Sequence, residues 1–233
     1  MNRCLACHQM YFDQPGWLRI FMLGKSSNIC QMCESKLISI SGKRCVTCSR
    51  SLDGLRSYYV KGEQCLDCWR WEQSGVRGFE KNVSIYEYNS FLKEWLSTYK
   101  FRGDAIVATF FAEKLEMLYH THFSGYVPVA LPLSSKRLQA RGFNQSKLLM
   151  QNWAEGADIL HRREGEKQSK KNRKQRVSQI THSPFSLKVG ATVRNQNFVL
   201  IDDIYTTGTT VRQAASILTR NGARNVSSLT VAR

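Results

Sequence analysis

The stretch FVLIDDIYTTGTT, from Phe198 to Thr210, decides the fold of this chain. Its first four residues form an apolar run, as in a strand that is buried on both faces. Two adjacent carboxylates, Asp202 and Asp203, end this run, and a loop rich in threonine and glycine follows them. The next segment, VRQAASILTR, has the apolar spacing of a helix. The stretch therefore predicts a buried strand, a polar loop and a helix in succession.

Strand and helix patterns also alternate on either side of this stretch. Predicted strands lie at VSIYEY (83–88), YVPVALPL (126–133) and VSSLTVA (226–232), and predicted helices at FLKEWLSTYKF (91–101), AIVATFFAEKLEMLYH (105–120) and from RGFNQS (141–146) to about Trp153. This alternation predicts an α/β fold with a mostly parallel sheet that is flanked by helices. In open sheets of this kind, ligands bind beyond the carboxyl ends of the strands.

The loop YTTGTT (205–210) lies at such an end and leads directly into the predicted helix. Backbone N–H groups and hydroxyls meet there at a helix N-terminus, which is typical of a phosphate site. The loop matches neither the P-loop nor the GxGxxG pattern. The two carboxylates before it would repel a polyphosphate but would accept hydrogen bonds from ribose hydroxyls. The pattern favours a ribose 5-phosphate; the alternative is that the acids cap the helix and the loop is only a turn.

All eight cysteines lie near the start of the sequence and form four Cys-x-x-Cys pairs. The pairs are Cys4 and Cys7, Cys30 and Cys33, Cys45 and Cys48, and Cys65 and Cys68. Two such pairs complete a tetrahedral four-sulfur site suited to Zn²⁺, so the sequence predicts two structural zinc ions. Joining the pairs in sequence order is the simpler arrangement, and a crossed one, first with third and second with fourth, stays open. We assign residues 1–76 to a double zinc-ribbon domain and 79–233 to the α/β domain.

Aromatic and basic residues are interleaved in the ribbons, as in CWRW (68–71) and SYYV (57–60). Such aromatics can stack on the bases of single-stranded nucleic acid. A small domain with little core also uses its aromatics to pack on a neighbour, and packing is the interpretation that we favour for most of them.

The chain carries a formal charge of +16, from 34 lysines and arginines against 18 acidic residues. An excess of this size is typical of proteins with a polyanionic partner such as nucleic acid. The sequence contains neither a signal-peptide pattern nor an apolar run of the roughly 20 residues that span a bilayer. We therefore expect a cytoplasmic protein without membrane insertion.

The stretch at 198–210 resembles the motif that binds 5-phosphoribosyl 1-pyrophosphate (PRPP) in type I phosphoribosyltransferases. Together with the four cysteine pairs, YKFRGD (99–104) and PLSSKRLQARGFNQ (132–145), it resembles the ComF family of competence proteins over nearly the whole chain. The resemblance implies a phosphoribosyltransferase-like α/β fold behind zinc ribbons, and a site for PRPP with Mg²⁺. The implied PRPP-binding residues are Asp202, Asp203, Tyr205, Thr206, Thr207, Gly208, Thr209, Thr210, Ser134 and Ser135.

In related transferases the loop after the second strand holds the pyrophosphate of PRPP, and here that loop is LPLSSKRLQARGFNQ (131–145). The resemblance gives catalytic roles to Lys136, Arg137 and Arg141 on the departing pyrophosphate, and to Asp202 and Asp203 on the ribose. The alternative is a solvated basic loop. In the family, the strongly basic segment RREGEKQSKKNRKQR (162–176) is flexible and lies near the site. Candidates for contact with nucleic acid are Lys100, Arg102, Lys170, Lys171, Arg173, Lys174 and Arg176.

Two functions are compatible with these features. The resemblance implies a competence protein in DNA uptake, which handles single-stranded DNA beside a ComFA-like helicase and carries a PRPP-type site. The alternative is a metabolic phosphoribosyltransferase that transfers ribose 5-phosphate to a nitrogen acceptor and has no nucleic-acid role. The sequence leaves the acceptor, and whether turnover occurs, open.

Overall fold

A computed structural model of the protein describes residues 1–12, 28–102, 105–164 and 183–233, with the side chains of 100–102 and 105 excepted. Short elements surround the cysteines. They are strands β1 (Asn2–Arg3) and β2 (Met10–Tyr11), helix α1 (Gln31–Glu34), a 3₁₀ turn (Ser57–Tyr59), strands β3 (Val60–Lys61) and β4 (Gln64–Cys65), and helix α2 (Leu66–Gln73). β1 pairs with β2 and β3 with β4, both antiparallel. These two hairpins belong to the predicted zinc-ribbon part of the chain.

The predicted parallel sheet is present and has four strands. They are β5 (Asn82–Tyr86), β6 (Val127–Ala130), β9 (Asn197–Ile204) and β10 (Asn225–Ala232), in the spatial order β5-β10-β9-β6. Every neighbouring pair is parallel. β6 ends at Ala130, three residues before the predicted end of this strand, because Pro132 cannot donate a hydrogen bond to the next strand. A separate antiparallel pair is formed by β7 (Leu160–Arg162) and β8 (Phe185–Leu187).

Five helices follow the ribbons in the described ranges. They are α3 (Ser90–Arg102), α4 (Ala105–His122), α5 (Ser135–Arg141), α6 (Gln145–Leu148) and α7 (Thr209–Arg220). Two predictions were wrong here. The segment that we treated as a loop contains α5, which was missed because it buries no residue and so shows no apolar period. The helix predicted to reach Trp153 ends at Leu148, and the turns after it include Asn152 at a φ of 77°.

The sheet is packed on both faces, as predicted. Alternate residues of β9 point to opposite faces: Val199 and Ile201 join the core beneath α3 and α4, while Phe198 and Leu200 join the core beneath α7. Cysteines contribute to both cores. Cys4 and Cys33 belong to the first, and Cys45, Cys48, Cys65 and Cys68 belong to the second. Each cysteine group is therefore packed against a different side of the α/β unit, and the boundary between residues 76 and 79 stays a prediction.

Within the described ranges, no helix combines the length and apolarity needed to cross a membrane.

Candidate ribose-phosphate site and cysteine clusters

Asp202 and Asp203 lie at the carboxyl end of β9, which is where the α/β pattern placed them. Asp202 accepts hydrogen bonds from the Ser146 hydroxyl (3.2 Å) and from the backbone N–H of Asp203 (3.0 Å). Asp203 is buried and accepts from the N–H of Ile204 at 3.0 Å. Ser146 is itself held by α6, because its N–H donates to the side chain of Asn144 (3.0 Å) at the start of that helix. The RGFNQS segment therefore orients the first carboxylate, a role that our sequence reasoning missed.

The loop between β9 and α7 contains a left-handed turn at its glycine. Gly208 has a φ of 75°, and a Cβ atom there would collide with the Tyr205 hydroxyl and the Arg212 guanidinium. The hydroxyls of Thr207 and Thr209 lie 2.8 Å apart. Because α7 begins at Thr209, its first N–H groups, which have no acceptor within the helix, lie at the end of this loop. The arrangement suits a phosphate.

The predicted site residues differ in exposure. Tyr205, Gly208, Thr209, Asp203 and Ser134 are buried; Asp202, Thr207, Thr210 and Arg141 are half-buried; Thr206, Ser135, Lys136 and Arg137 are exposed. β6 leads to the segment with Lys136, Arg137 and Arg141 at the same edge of the sheet as the carboxylates. After the end of β6, the N–H of Leu131 continues the pairing with β9 by donating to the carbonyl of Ile201 (3.1 Å). At the first turn of α5, the backbone N–H of Lys136 donates to the Glu164 carboxylate at 2.7 Å.

Arginines gather close to the two carboxylates. Burial lowers the pKa of Arg141; the charges of Asp203 and Asp202 oppose this shift, and that of Arg137 adds to it. Its guanidinium also donates to the side chain of Gln145 at 2.9 Å. Arg141 therefore lies within electrostatic reach of both acids and of a second arginine.

Arg162 is a further member of this group, and sequence reasoning missed it. Burial lowers the pKa of its guanidinium, Arg137 and Arg141 lower it further, and Asp202 opposes them. The side chain packs over the Phe185 ring, 5.1 Å from its centroid, because the two residues face each other in the β7–β8 pair. The only signal in the sequence was that Arg162 begins the basic segment. The guanidinium groups of Arg137, Arg141 and Arg162 repel one another, and a bound pyrophosphate would offset this repulsion.

The remaining nucleic-acid candidates stay predictions. Lys170, Lys171, Arg173, Lys174 and Arg176 lie outside the described residues, and so do the side chains of Lys100 and Arg102.

The cysteines form two clusters, in sequence order rather than crossed. One is Cys4, Cys7, Cys30 and Cys33, the other Cys45, Cys48, Cys65 and Cys68, and within each the sulfurs lie within 4.8 Å of one another. Sulfur pairs at 3.9 Å (Cys7 and Cys30) and 3.7 Å (Cys48 and Cys65) are close to the roughly 3.8 Å edge of a tetrahedral zinc–thiolate site. Both clusters could therefore hold Zn²⁺.

Both clusters are built on the same plan. After each first pair the chain turns through a left-handed residue, His8 (φ 61°) or Ser49 (φ 62°), whose N–H donates to the first cysteine carbonyl at 2.9 Å. The third cysteine then caps a helix and donates its N–H to the first sulfur, at 3.3 Å in each case. Burial opposes ionisation of Cys4, but backbone N–H groups, chiefly that of Cys30, lower its pKa to about 7. Hydrogen bonds of this kind favour the thiolate that a zinc ion needs.

Known proteins share both parts of this architecture. Residues 157–233, which include β9, the loop and α7, match the phosphoribosyl transferase domain family. Over 99% of its length, the chain is 35% identical to competence protein ComFC of Bacillus subtilis, of which it covers 94%. The chain belongs to the ComFC family. This ComFC-family chain is also 32% identical to the ComFC of Streptococcus pneumoniae over 99% of its length and 100% of that protein. The DNA utilization protein YhgH of Salmonella typhi is 29% identical over 85% of the chain and 93% of that protein.

Membership of the ComFC family confirms the resemblance drawn from the motifs. The predicted phosphoribosyltransferase-like α/β fold is confirmed as well, with the cysteine clusters of a zinc-ribbon region before it.

Proposed function

We propose that this ComFC-family protein acts in the cytoplasm in DNA uptake during natural transformation, binding single-stranded DNA and a ComFA-like helicase, and that it carries a PRPP site. The names of its relatives, competence protein ComFC and DNA utilization protein YhgH, support the first part. One observation carries the second: the two carboxylates at the end of β9 directly precede a phosphate-type loop and lie within electrostatic reach of arginines. PRPP offers a ribose to the carboxylates, a 5-phosphate to the loop and a pyrophosphate to the arginines.

Each part of the site binds a different group of PRPP. Asp202 and Asp203 accept hydrogen bonds from the ribose hydroxyls, and the loop from Thr206 to Thr210 binds the 5-phosphate through its N–H and hydroxyl groups. Arg137, Arg141 and Arg162, together with Lys136, hold the pyrophosphate. A Mg²⁺ ion bound to PRPP would neutralise part of the charge of its pyrophosphate.

The pyrophosphate assignment predicts a selective effect of Arg162→Met. The substitution keeps an apolar stem over Phe185 but removes the charge, and a hydrogen bond to a charged group contributes about 1.5–3 kcal/mol. We expect PRPP affinity, measured by calorimetry with Mg²⁺, to fall at least tenfold, while affinity for ribose 5-phosphate changes little. Arg163→Met is the matched control, since Arg163 is exposed and donates to the Ser183 carbonyl at 3.0 Å. Equal losses for both ligands would contradict the assignment.

The DNA part of the proposal predicts a steep dependence on salt. Counterion release lowers the affinity for a single strand by about 0.7 logarithmic units per phosphate contact for each tenfold rise in salt. We expect a labelled oligonucleotide, followed by fluorescence anisotropy, to give a slope of about −2 or steeper. Lys170→Gln with Lys171→Gln should flatten this slope by about one unit or more.

The control variant, Lys93→Gln with Lys114→Gln on α3 and α4, makes the same change in charge outside the basic segment. Absence of binding by micromolar protein at low salt would remove the DNA part of the proposal and leave the PRPP part to its own test.

The metabolic alternative has one observation in its favour, the match of residues 157–233 to a phosphoribosyl transferase domain. It predicts that pyrophosphate is released from PRPP when a nitrogen acceptor is present, and that single-stranded DNA neither binds nor changes the rate. Release without any DNA affinity would select the alternative over the competence role.

A further inference from the structure

The second cysteine cluster lies directly behind the phosphate-type loop. Two cysteines of this cluster lie at the start of helix α2, Cys65 as its N-cap and Cys68 in its first turn. Trp71 lies on the same helix, one turn after Cys68. Trp71 is buried, and its indole N–H donates to the carbonyl of Thr207 at 2.7 Å. These two residues are 136 positions apart in the chain, so the contact joins the ribbon to the loop.

Arg233 makes a second contact with the same loop. Its guanidinium donates to the carbonyl of Thr206 at 2.8 Å and lies 5.1 Å from the centroid of the Tyr205 ring.

Arg212 contacts aromatic rings of both the ribbon and the loop. Its guanidinium lies 5.1 Å from the Trp71 ring, 4.8 Å from the Phe79 ring and 6.0 Å from the Tyr205 ring, and it donates to the Tyr205 hydroxyl. The side chain is only 4% exposed, so these cation–π contacts act with little competition from water. Trp71 is therefore packed against the first turn of α7 as well as bonded to the loop.

These contacts fix the direction in which the loop presents its N–H groups. In a planar trans peptide the carbonyl and the following N–H point to opposite sides. Since Arg233 holds the carbonyl of Thr206 and Trp71 holds that of Thr207, the N–H of Thr207 points away from Arg233 and the N–H of Gly208 points away from Trp71. Successive N–H groups on one side of a turn form a cavity for an anion.

We propose that Trp71 and Arg233 are positioning residues that hold the loop in its phosphate-binding conformation, so that the metal-bound second cluster sets the affinity for a sugar 5-phosphate. This inference rests on the PRPP site proposed above. It gives the ribbon a role in ligand binding beyond its own folding. It also makes the two clusters unequal, since Cys4, Cys30 and Cys33 of the first cluster pack in the opposite core.

Trp71→Phe tests the inference because it keeps an aromatic ring near Arg212 and removes only the N–H donor. A hydrogen bond contributes about 0.5–1.5 kcal/mol net, so we expect about a twofold to tenfold loss of affinity for PRPP and for ribose 5-phosphate. Inorganic pyrophosphate, which lacks the 5-phosphate, should bind with unchanged affinity, and zinc content should stay at two per chain. Trp69→Phe is the matched control, since Trp69 lies on the same helix and is 38% exposed.

A second measurement separates this inference from the proposed function. The amide resonances of Thr207 and Gly208 should shift in Trp71→Phe but not in Trp69→Phe, with no ligand present. If the wild type binds PRPP and Trp71→Phe binds it equally well, the inference is overturned and the PRPP site stands. If the wild type does not bind PRPP, the proposed site falls, and unchanged amide resonances would then overturn the positioning role too.

Discussion

Replacing Asp202 and Asp203 together with alanine is expected to abolish PRPP binding while both zinc ions are retained. Each carboxylate would accept a ribose hydroxyl, and a hydrogen bond to a charged group contributes about 1.5–3 kcal/mol, so the double change should lower affinity at least about 100-fold. Calorimetric titration with PRPP and Mg²⁺ measures the loss, and metal analysis measures zinc. The effect should be the largest of any double substitution in the site, because Ser146 and the backbone already hold these carboxylates in place.

The matched control for this double variant is Glu94→Ala with Glu116→Ala. Glu94 is exposed on α3 and Glu116 is half-buried on α4, and their loss changes the net charge by the same amount. The control should bind PRPP as the wild type does. Undiminished affinity in the aspartate variant would overturn the ribose assignment, and the loop would then be only the turn that the sequence left as an alternative.

Replacing Cys65 and Cys68 with serine is expected to release about one zinc per chain and to lower thermal stability strongly. Binding of a structural zinc is part of the folding free energy, and all four cysteines of this cluster are buried. Because α2 begins at these residues, Trp71 should lose its fixed position, and PRPP affinity should fall at least about tenfold. Association with a ComFA-like helicase should weaken as well, if the ribbons form the docking surface.

Cys4→Ser with Cys7→Ser provides the comparison. This variant should also release about one zinc, but it disturbs the cluster in the other core and should retain most of the PRPP affinity. Equal PRPP losses in the two variants would show general destabilisation instead of a specific link through the second cluster. A helicase complex that survives both variants unchanged would exclude the ribbons as the docking surface.

The sequence predicted the features that depend on neighbouring residues. The apolar run of β9 and the spacing of α7 are local patterns, and each gave its element within a few residues. Pairs of cysteines three apart predicted two clusters for the same reason. Where local pattern was absent, prediction failed. α5 buries nothing and was taken for a loop, and α6 ends at Leu148, earlier than expected.

By itself, then, the sequence determined the fold class, the strand–loop–helix unit with its two carboxylates, and the cysteines that would bind zinc. Only the tertiary structure decided which cysteine pairs meet, that Arg162 joins the other arginines near Asp202, and that Trp71 holds the carbonyl of Thr207. These contacts join residues far apart in the chain, whose proximity depends on how strands pair and helices pack. No periodicity or spacing within a short window carries that information.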